Sequence, residues 1–142
     1  MKLTQAVYNQ ILETIGSEIP EKGGMLGSSD KKVITHFYYD ATGKSTNCSY
    51  TPDTQELNTI LDEWSRGGIY LVGMVHSHNP GCDFPSCMDI KYAERILNAL
   101  PHLSEFYLPI LIWEEKSTMI TYKISIDENG VLIKEKDQIE IV

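Results

Sequence analysis

No stretch of the 142-residue sequence approaches the roughly 18 consecutive apolar residues that a membrane-spanning helix requires. Basic residues are scarce: 12 Lys and Arg stand against 20 Asp and Glu, for a formal net charge of −8. An electrostatic grip on nucleic acid or on anionic lipid needs clustered Lys and Arg, so the composition argues against both as partners. Cysteine is sparse and odd in number, with residues at 48, 82 and 87. A disulfide framework is therefore not expected, and a reducing cytoplasm is the expected location. Met1-Lys2 leads into a mixed polar segment rather than the apolar core of a secretory signal. Repeats, linkers and low-complexity tracts are also missing, which predicts a single domain over residues 1–142.

What is present reads as an α+β protein, a mixed β-sheet flanked by helices. Leu3, Val7, Ile11 and Ile15 recur every four residues, a helical stripe that Gly16 ends. A short strand is expected around Gly23–Gly27, although glycine weakens it. Val33 to Tyr39 alternates as a second strand. Asp53 and Glu56 are spaced as a capping box before a helical face of Leu57, Ile60, Leu61 and Trp64, which Gly67-Gly68 stops. Ile69 to Val75 is apolar almost throughout and bounded at both ends, the pattern of a central strand covered on both faces. A third helix is predicted from about Ser86 to Leu100. Phe106 to Trp113 is strand-like, with Pro109 restricting it to an edge or a late start. Ile120 to Ile126 alternates, Asp127–Gly130 reads as a hairpin turn, and Val131–Ile133 returns. Glu135-Lys136-Asp137 reads as a solvated turn, His36 as an ordinary sheet residue and His102 as a surface loop residue. Tyr38, Tyr39 and Trp64 read as packing residues.

The chemistry concentrates in His76-Ser77-His78-Asn79-Pro80-Gly81-Cys82-Asp83-Phe84-Pro85-Ser86-Cys87-Met88-Asp89. Side chains at i and i+2 of a strand share a face, so His76 and His78 project together from the end of the buried strand. Two neutral imidazoles aimed alike can hold one metal ion, and zinc suits nitrogen and carboxylate donors. Asp89, in the first turn of the third helix, becomes the third ligand if the 79–85 loop folds back over the strand end. Such an ion activates water at neutral pH, and a carboxylate off the metal can carry the proton. A donor for the developing oxyanion is needed too, and Ser86 is the candidate.

Each residue also has a plain structural reading. Two histidines on one strand are often ordinary half-buried residues. Ser86-x-x-Asp89 matches a helix capping box, which is compatible with ligation because the cap would fix Asp89. Glu21 alone resembles any surface carboxylate. His76, His78, Cys82 and Cys87 could instead close a structural zinc site, although that leaves Glu21 and Asp89 without roles. A two-His, one-carboxylate iron site is a further alternative, and it gives no work to Ser86 or to the upstream glutamate.

Taken together, the spacing resembles the JAMM (MPN+, JAB domain) metalloprotease family. That family carries a glutamate in an E-x-x-G-x-L-x-G-like segment followed by H-[ST]-H-x(7)-S-x-x-D. Glu21 in PEKGGMLG, His76, His78, Ser86 and Asp89 match it, and the order of elements extends the match over most of the chain. The resemblance implies the family's cytidine-deaminase-like sandwich, with His76, His78 and Asp89 as ligands of one Zn²⁺. It implies Glu21 as general acid/base and Ser86 as oxyanion stabiliser.

By the same resemblance, the expected activity is cleavage of an isopeptide or peptide bond after the C-terminal glycine of a ubiquitin-like protein. The alternatives are trimming of a sulfur-carrier precursor and a non-catalytic MPN-type interaction module. The complete residue set disfavours the module. Two departures stand out. Family members usually place proline directly after the second histidine, where this chain has Asn79 and then Pro80, which puts substrate contacts in doubt. The stretch after Asp89 leaves little room for the second insertion of eukaryotic members. This resembles compact prokaryotic members, often associated with E1- and E2-like enzymes.

Overall fold

The computed structural model describes residues 1–17, 21–46, 49–101 and 103–142, so Cys48 and His102 lie outside the described residues. In chain order the elements are β1 (Lys2–Leu3), α1 (Gln5–Thr14), β2 (Gly23–Ser28), β3 (Val33–Ile34), β4 (His36–Tyr39), β5 (Lys44–Thr46) and β6 (Ser49–Thr51). They continue as α2 (Thr54–Arg66), β7 (Tyr70–His78), α3 (Cys87–Ala99), β8 (Glu105–Ile112), β9 (Thr118–Ile126), β10 (Leu132–Asp137) and β11 (Glu140–Ile141). The main sheet has six strands in the order β10-β9-β8-β7-β2-β4. Only β7 and β8 pair in parallel within it; the other neighbours are antiparallel. The architecture is thus the expected α+β type with a mixed sheet. No helix among the described residues is long and apolar enough to cross a membrane.

The apolar run from Ile69 becomes β7, flanked by β2 and β8, and every one of its residues after Tyr70 is buried. A strand with sheet on both sides and helices on both faces has no solvent to face, which is why its sequence does not alternate. Met74, paired with Met25 across the ladder, meets α2 and α3 on one face through Leu57, Leu61, Tyr92 and Ile96. On the other face Leu111, in register with Ser77, touches the end of α1, where a Cβ at Gly16 would lie 2.9 Å from its side chain. His76 and His78 share the parity of Met74, so they leave β7 on the face that α2 and α3 cover.

Helix boundaries follow local chemistry. Thr4 caps α1, its hydroxyl oxygen accepting the Val7 N–H at 3.3 Å. Asp53 caps α2 by accepting the Glu56 N–H at 3.2 Å, and Gly68, at φ +73°, carries the chain out beyond the C-cap Gly67. The expected capping box at α2 is only half formed. Glu56 accepts instead from the Tyr38 hydroxyl at 2.7 Å, and the Asp53 N–H donates to Asp40.

Several expectations are corrected. Leu3 is not in the first helix but in β1, between Val33–Ile34 and Glu140–Ile141, although it joins the same core as Val7 and Ile11. The stretch 33–39 is two strands in two sheets, broken at Thr35, whose N–H donates to Gly27 at 3.0 Å. Its alternation survives because both halves are extended. Pro109 lies in β8, an interior strand, opposite Thr121 of β9. The pairing with β7 passes from Gly73↔Tyr107 to His76↔Ile110, so the ladder steps over the residue that has no N–H. Glu135–Asp137 is strand, paired with Lys123, Tyr122 and Thr121, and the Asp137 carboxylate bonds the Met1 amine. The Asp127–Gly130 turn forms as expected, with Gly130 at φ +77° and Asp127 accepting from Asn129 and Val131. Tyr38, Tyr39 and Trp64 pack against the core, and His36 stands edge-on to Trp64 with ring centroids 6.2 Å apart.

Candidate metal centre

β7 delivers His76 and His78, 6% and 8% exposed, to a single point at its C-terminal end. Their Nε2 atoms lie 2.7 Å apart. The His78 Nδ1 lies 2.8 Å from the carbonyl oxygen of Cys82. A carbonyl only accepts, so Nδ1 carries the proton and the Nε2 lone pair faces His76. The loop after β7 does fold back as the site requires: Cys82 donates its N–H to Asn79, and Asp83 accepts from the Tyr122 hydroxyl of β9 at 3.0 Å.

Asp89 arrives from the first turn of α3. Its Oδ2 is 3.3 Å from the His76 Nε2 and 3.9 Å from the His78 Nε2. The same oxygen accepts the Ser86 N–H at 2.7 Å, while the Ser86 hydroxyl oxygen accepts the Asp89 N–H at 3.1 Å. Both halves of the capping box are therefore present. Capping and ligation turn out to be compatible, because the cap holds the carboxylate where the imidazoles converge. Ser86 itself is exposed at the rim.

One donor atom from each of His76, His78 and Asp89 lies within 4.8 Å of the others. These residues fit a divalent cation on chemical grounds. Three polar atoms converge with one proton at most among them, and the lone pairs left facing one another need a positive charge. Burial, then the neighbouring His76, lowers the His78 pKa below 6.5, which keeps it a neutral ligand at pH 7. Burial alone would raise Asp89, but hydrogen bonding and charge from His76, with hydrogen bonding from the Ser86 N–H and hydroxyl, outweigh it and bring the carboxyl to about 2. Two imidazole nitrogens and one carboxylate oxygen are a donor set that zinc takes readily.

Glu21 reaches the same place through the sheet register. Gly23 pairs with His76. One step on, the Ser77 N–H donates to the Lys22 carbonyl at 2.9 Å and the Lys22 N–H donates to the Ser77 hydroxyl at 2.9 Å. The ladder ends there, and Glu21 follows one residue beyond it, near enough to His76 and Asp89 for its carboxylate to feel the charge of both. The Glu21 N–H is held in turn by the Thr46 carbonyl of β5 at 3.3 Å. Burial chiefly raises the Glu21 pKa, His76 lowers it and Asp89 raises it, so the carboxylate senses both potential ligands. It is not itself in the three-donor group.

Glu21, His76, His78, Ser86 and Asp89 are thus brought together around the C-terminal end of β7. Cys82 and Cys87 do not complete a metal site. Both are exposed free thiols outside the donor group, and Cys87 begins α3 rather than lying in the loop. Sequence reasoning left Ser77 without a role, though its position between two like-facing histidines already aimed it at the opposite face. It also missed the Cys82 carbonyl, a backbone atom that no residue type announces.

The family model of the prokaryotic homologs of the JAB domain matches residues 4–125. No curated protein sequence matches the chain. Among solved structures, a JAB1/MPN domain protein from Archaeoglobus fulgidus is 21% identical, with a TM-score of 0.56 over 100% of this chain and 99% of its own. A protein from Desulfitobacterium hafniense solved in solution is 19% identical, with a TM-score of 0.69 over 99% of this chain and 92% of its own. One from Salinibacter ruber, also a solution structure, is 16% identical, with a TM-score of 0.60 over 100% and 92%. At these identities the structural likeness speaks for the fold. The family match spans every residue of the candidate centre, and the chain belongs to the prokaryotic homologs of the JAB domain.

Proposed function

We propose that the protein is a zinc-dependent metallo-isopeptidase or peptidase that cleaves after the C-terminal glycine of a ubiquitin-like protein. The observation that carries this reading is the placement of Glu21: a half-buried carboxylate that senses His76 and Asp89 while standing outside the two-histidine, one-aspartate donor group. A pure scaffold has no need of a proton carrier there. His76, His78 and Asp89 would hold one Zn²⁺. When bound, the ion supplies a Lewis acid that activates water and polarises the scissile carbonyl at neutral pH. Glu21 takes up a proton from the attacking water and passes it to the leaving amine. Partial burial favours this, because it moves the carboxyl toward the working pH. The Ser86 hydroxyl donates to the oxygen on which charge develops.

A flexible Gly-Gly tail suits the rim, where it can lie extended and use backbone hydrogen bonds. Phe84 and Met88, 59% and 67% exposed, stand on either side of Ser86 in sequence and offer apolar contact to a protein substrate. The cytoplasm, with E1- and E2-like partners, is the setting we assign. A net charge of −8 would steer a basic modifier, an attraction that added salt would weaken.

The test is cleavage of linear and isopeptide-linked fusions of ubiquitin-like proteins by zinc-loaded wild type and Glu21→Gln. The reading expects cleavage after the terminal glycine. It expects a loss of about 10²-fold or more in Glu21→Gln, with zinc content unchanged. Equal rates for the two forms would remove Glu21 from the reaction. No cleavage of any modifier fusion by zinc-loaded wild type would favour a non-catalytic interaction module. Cleavage confined to a sulfur-carrier precursor would identify a processing protease. Iron in place of zinc after purification without added metal would favour the oxygenase-type site.

A further inference from the structure

Among the described residues, one buried side-chain atom has no hydrogen-bond partner: Oδ1 of Asp40, a residue 4% exposed. Its other oxygen accepts from the Tyr50 hydroxyl at 2.6 Å and from the Asp53 N–H at 2.9 Å. A carboxylate buried with one oxygen unsatisfied is a poor way to gain stability, since an apolar pair of similar shape would serve better. Its surroundings suggest a different use. The Tyr50 ring lies directly on Gly23, the register partner of His76; a Cβ there would come within 2.2 Å of the ring Cε1. The Asp40 N–H donates to the Gly23 carbonyl at 3.0 Å, and a Cβ at Gly43 would lie 2.7 Å from both the Asp40 Oδ2 and the Tyr50 ring. Asp40, Tyr50 and Gly23 therefore form one tight node.

Tyr50 belongs to β6, which pairs with β5, and β5 supplies the Thr46 carbonyl that takes the Glu21 N–H. Burial, and then the Asp40 carboxylate, raises the Tyr50 pKa, so the phenol stays a donor at any working pH. We propose that Asp40 and Tyr50 are positioning residues for Glu21. Their partly buried hydrogen bond holds the β5–β6 ribbon against the start of β2 and thereby sets where the Glu21 carboxylate stands near His76 and Asp89. This rests on the reading of Glu21 as the proton carrier.

The test compares wild type, Tyr50→Phe and Asp40→Asn as full-length, zinc-loaded protein. Tyr50→Phe keeps the ring on Gly23 and removes only the hydroxyl. Amide hydrogen exchange followed by NMR should quicken about tenfold or more at Glu21 while Met74 and Val75 in β7 stay protected, because only the ribbon is released. Zinc affinity, from chelator competition, should be unchanged. On any fusion that wild type cleaves, kcat should fall about tenfold with KM unchanged, as expected when a reacting group is misplaced and substrate binding is not. Unchanged exchange at Glu21 would overturn the proposal, and so would a parallel loss of zinc affinity, which would place the node beneath the metal ligands instead. Should Tyr50→Phe fail to fold, Asp40→Asn, which keeps the side-chain size, decides by the same readouts. If wild type cleaves no fusion, the proposed function fails, while the exchange measurement needs no substrate and still decides whether the node holds Glu21.

Discussion

Ser86 can be separated into its two roles by substitution. In the structure its hydroxyl oxygen accepts the Asp89 N–H at 3.1 Å, and its own N–H donates to Asp89 Oδ2 at 2.7 Å. Ser86→Ala removes the first bond and leaves the second, because the second uses only the backbone of Ser86. Loss of an exposed N-cap side chain costs about 1 kcal/mol. With an unfolding entropy of about 2 cal/mol/K per residue, a chain of 142 residues should lose about 3 °C in Tm. Ser86→Asn supplies an equally good cap and should melt within about 1 °C of wild type. Both variants should keep zinc affinity within a factor of about three, since the Ser86 N–H still fixes the Asp89 carboxylate, and losing an orienting partner is what costs about 10- to 100-fold. Thermal unfolding of chelator-treated protein and competition with a chromogenic chelator measure the two quantities. If the hydroxyl also meets the developing oxyanion, Ser86→Ala should cleave about 10²-fold more slowly, far more than its small loss of Tm explains. Wild-type melting by Ser86→Ala would refute the capping argument. A tenfold or larger loss of zinc affinity in both variants, about 1.4 kcal/mol or more, would refute the claim that Asp89 is held without the Ser86 hydroxyl.

Metal-free protein should lose stability on acidification in two windows. His78 has a lowered folded-state pKa, so its contribution is intact above 6.5 and declines below it; that of Asp89 is intact above about 4 and is lost toward about 2, a loss of about 2 kcal/mol. Urea midpoints across pH check this, and Asp89→Asn should flatten the lower window. Gly73→Ala should destabilise by about 3 kcal/mol or more, because its Cβ would lie 2.6 Å from the Tyr107 backbone oxygen in the adjacent central strand, where no rotamer change relieves it; near-normal unfolding would contradict that packing. The double variant Cys82→Ser/Cys87→Ser should still bind one zinc per chain, because Cys82 contributes its carbonyl and not its thiol. Loss of the metal would return the cysteines to the site.

The readable parts of the sequence are those where side-chain pattern and environment coincide. β7 was legible because burial on both faces leaves an uninterrupted apolar run. The parity of His76 and His78 was legible from strand geometry, whereas Asp89 joined them through the spacing that resembles the family motif and through a loop that folds back. Tertiary neighbours decided the rest. Nothing in the Phe106–Trp113 run says that β7 and β9 flank Pro109 on both sides, or that the β7 ladder steps past it. The break at Thr35 is invisible because a strand that leaves one sheet for another keeps its alternation. β1, β5, β6 and β11 have two or three residues each, too few to show a period. Glu21 was found only through its motif context, since no pattern in the sequence shows that Lys22 would dock on Ser77.

X-ray diffraction from zinc-soaked crystals at the zinc absorption edge probes the metal centre most directly. A single anomalous peak is predicted between the Nε2 atoms of His76 and His78 and the Oδ2 of Asp89, at bonding distances of about 2.0–2.2 Å, with Glu21 close by but not bonded to the ion. A peak bound to Cys82 or Cys87, or none at His76, His78 and Asp89, would contradict the account.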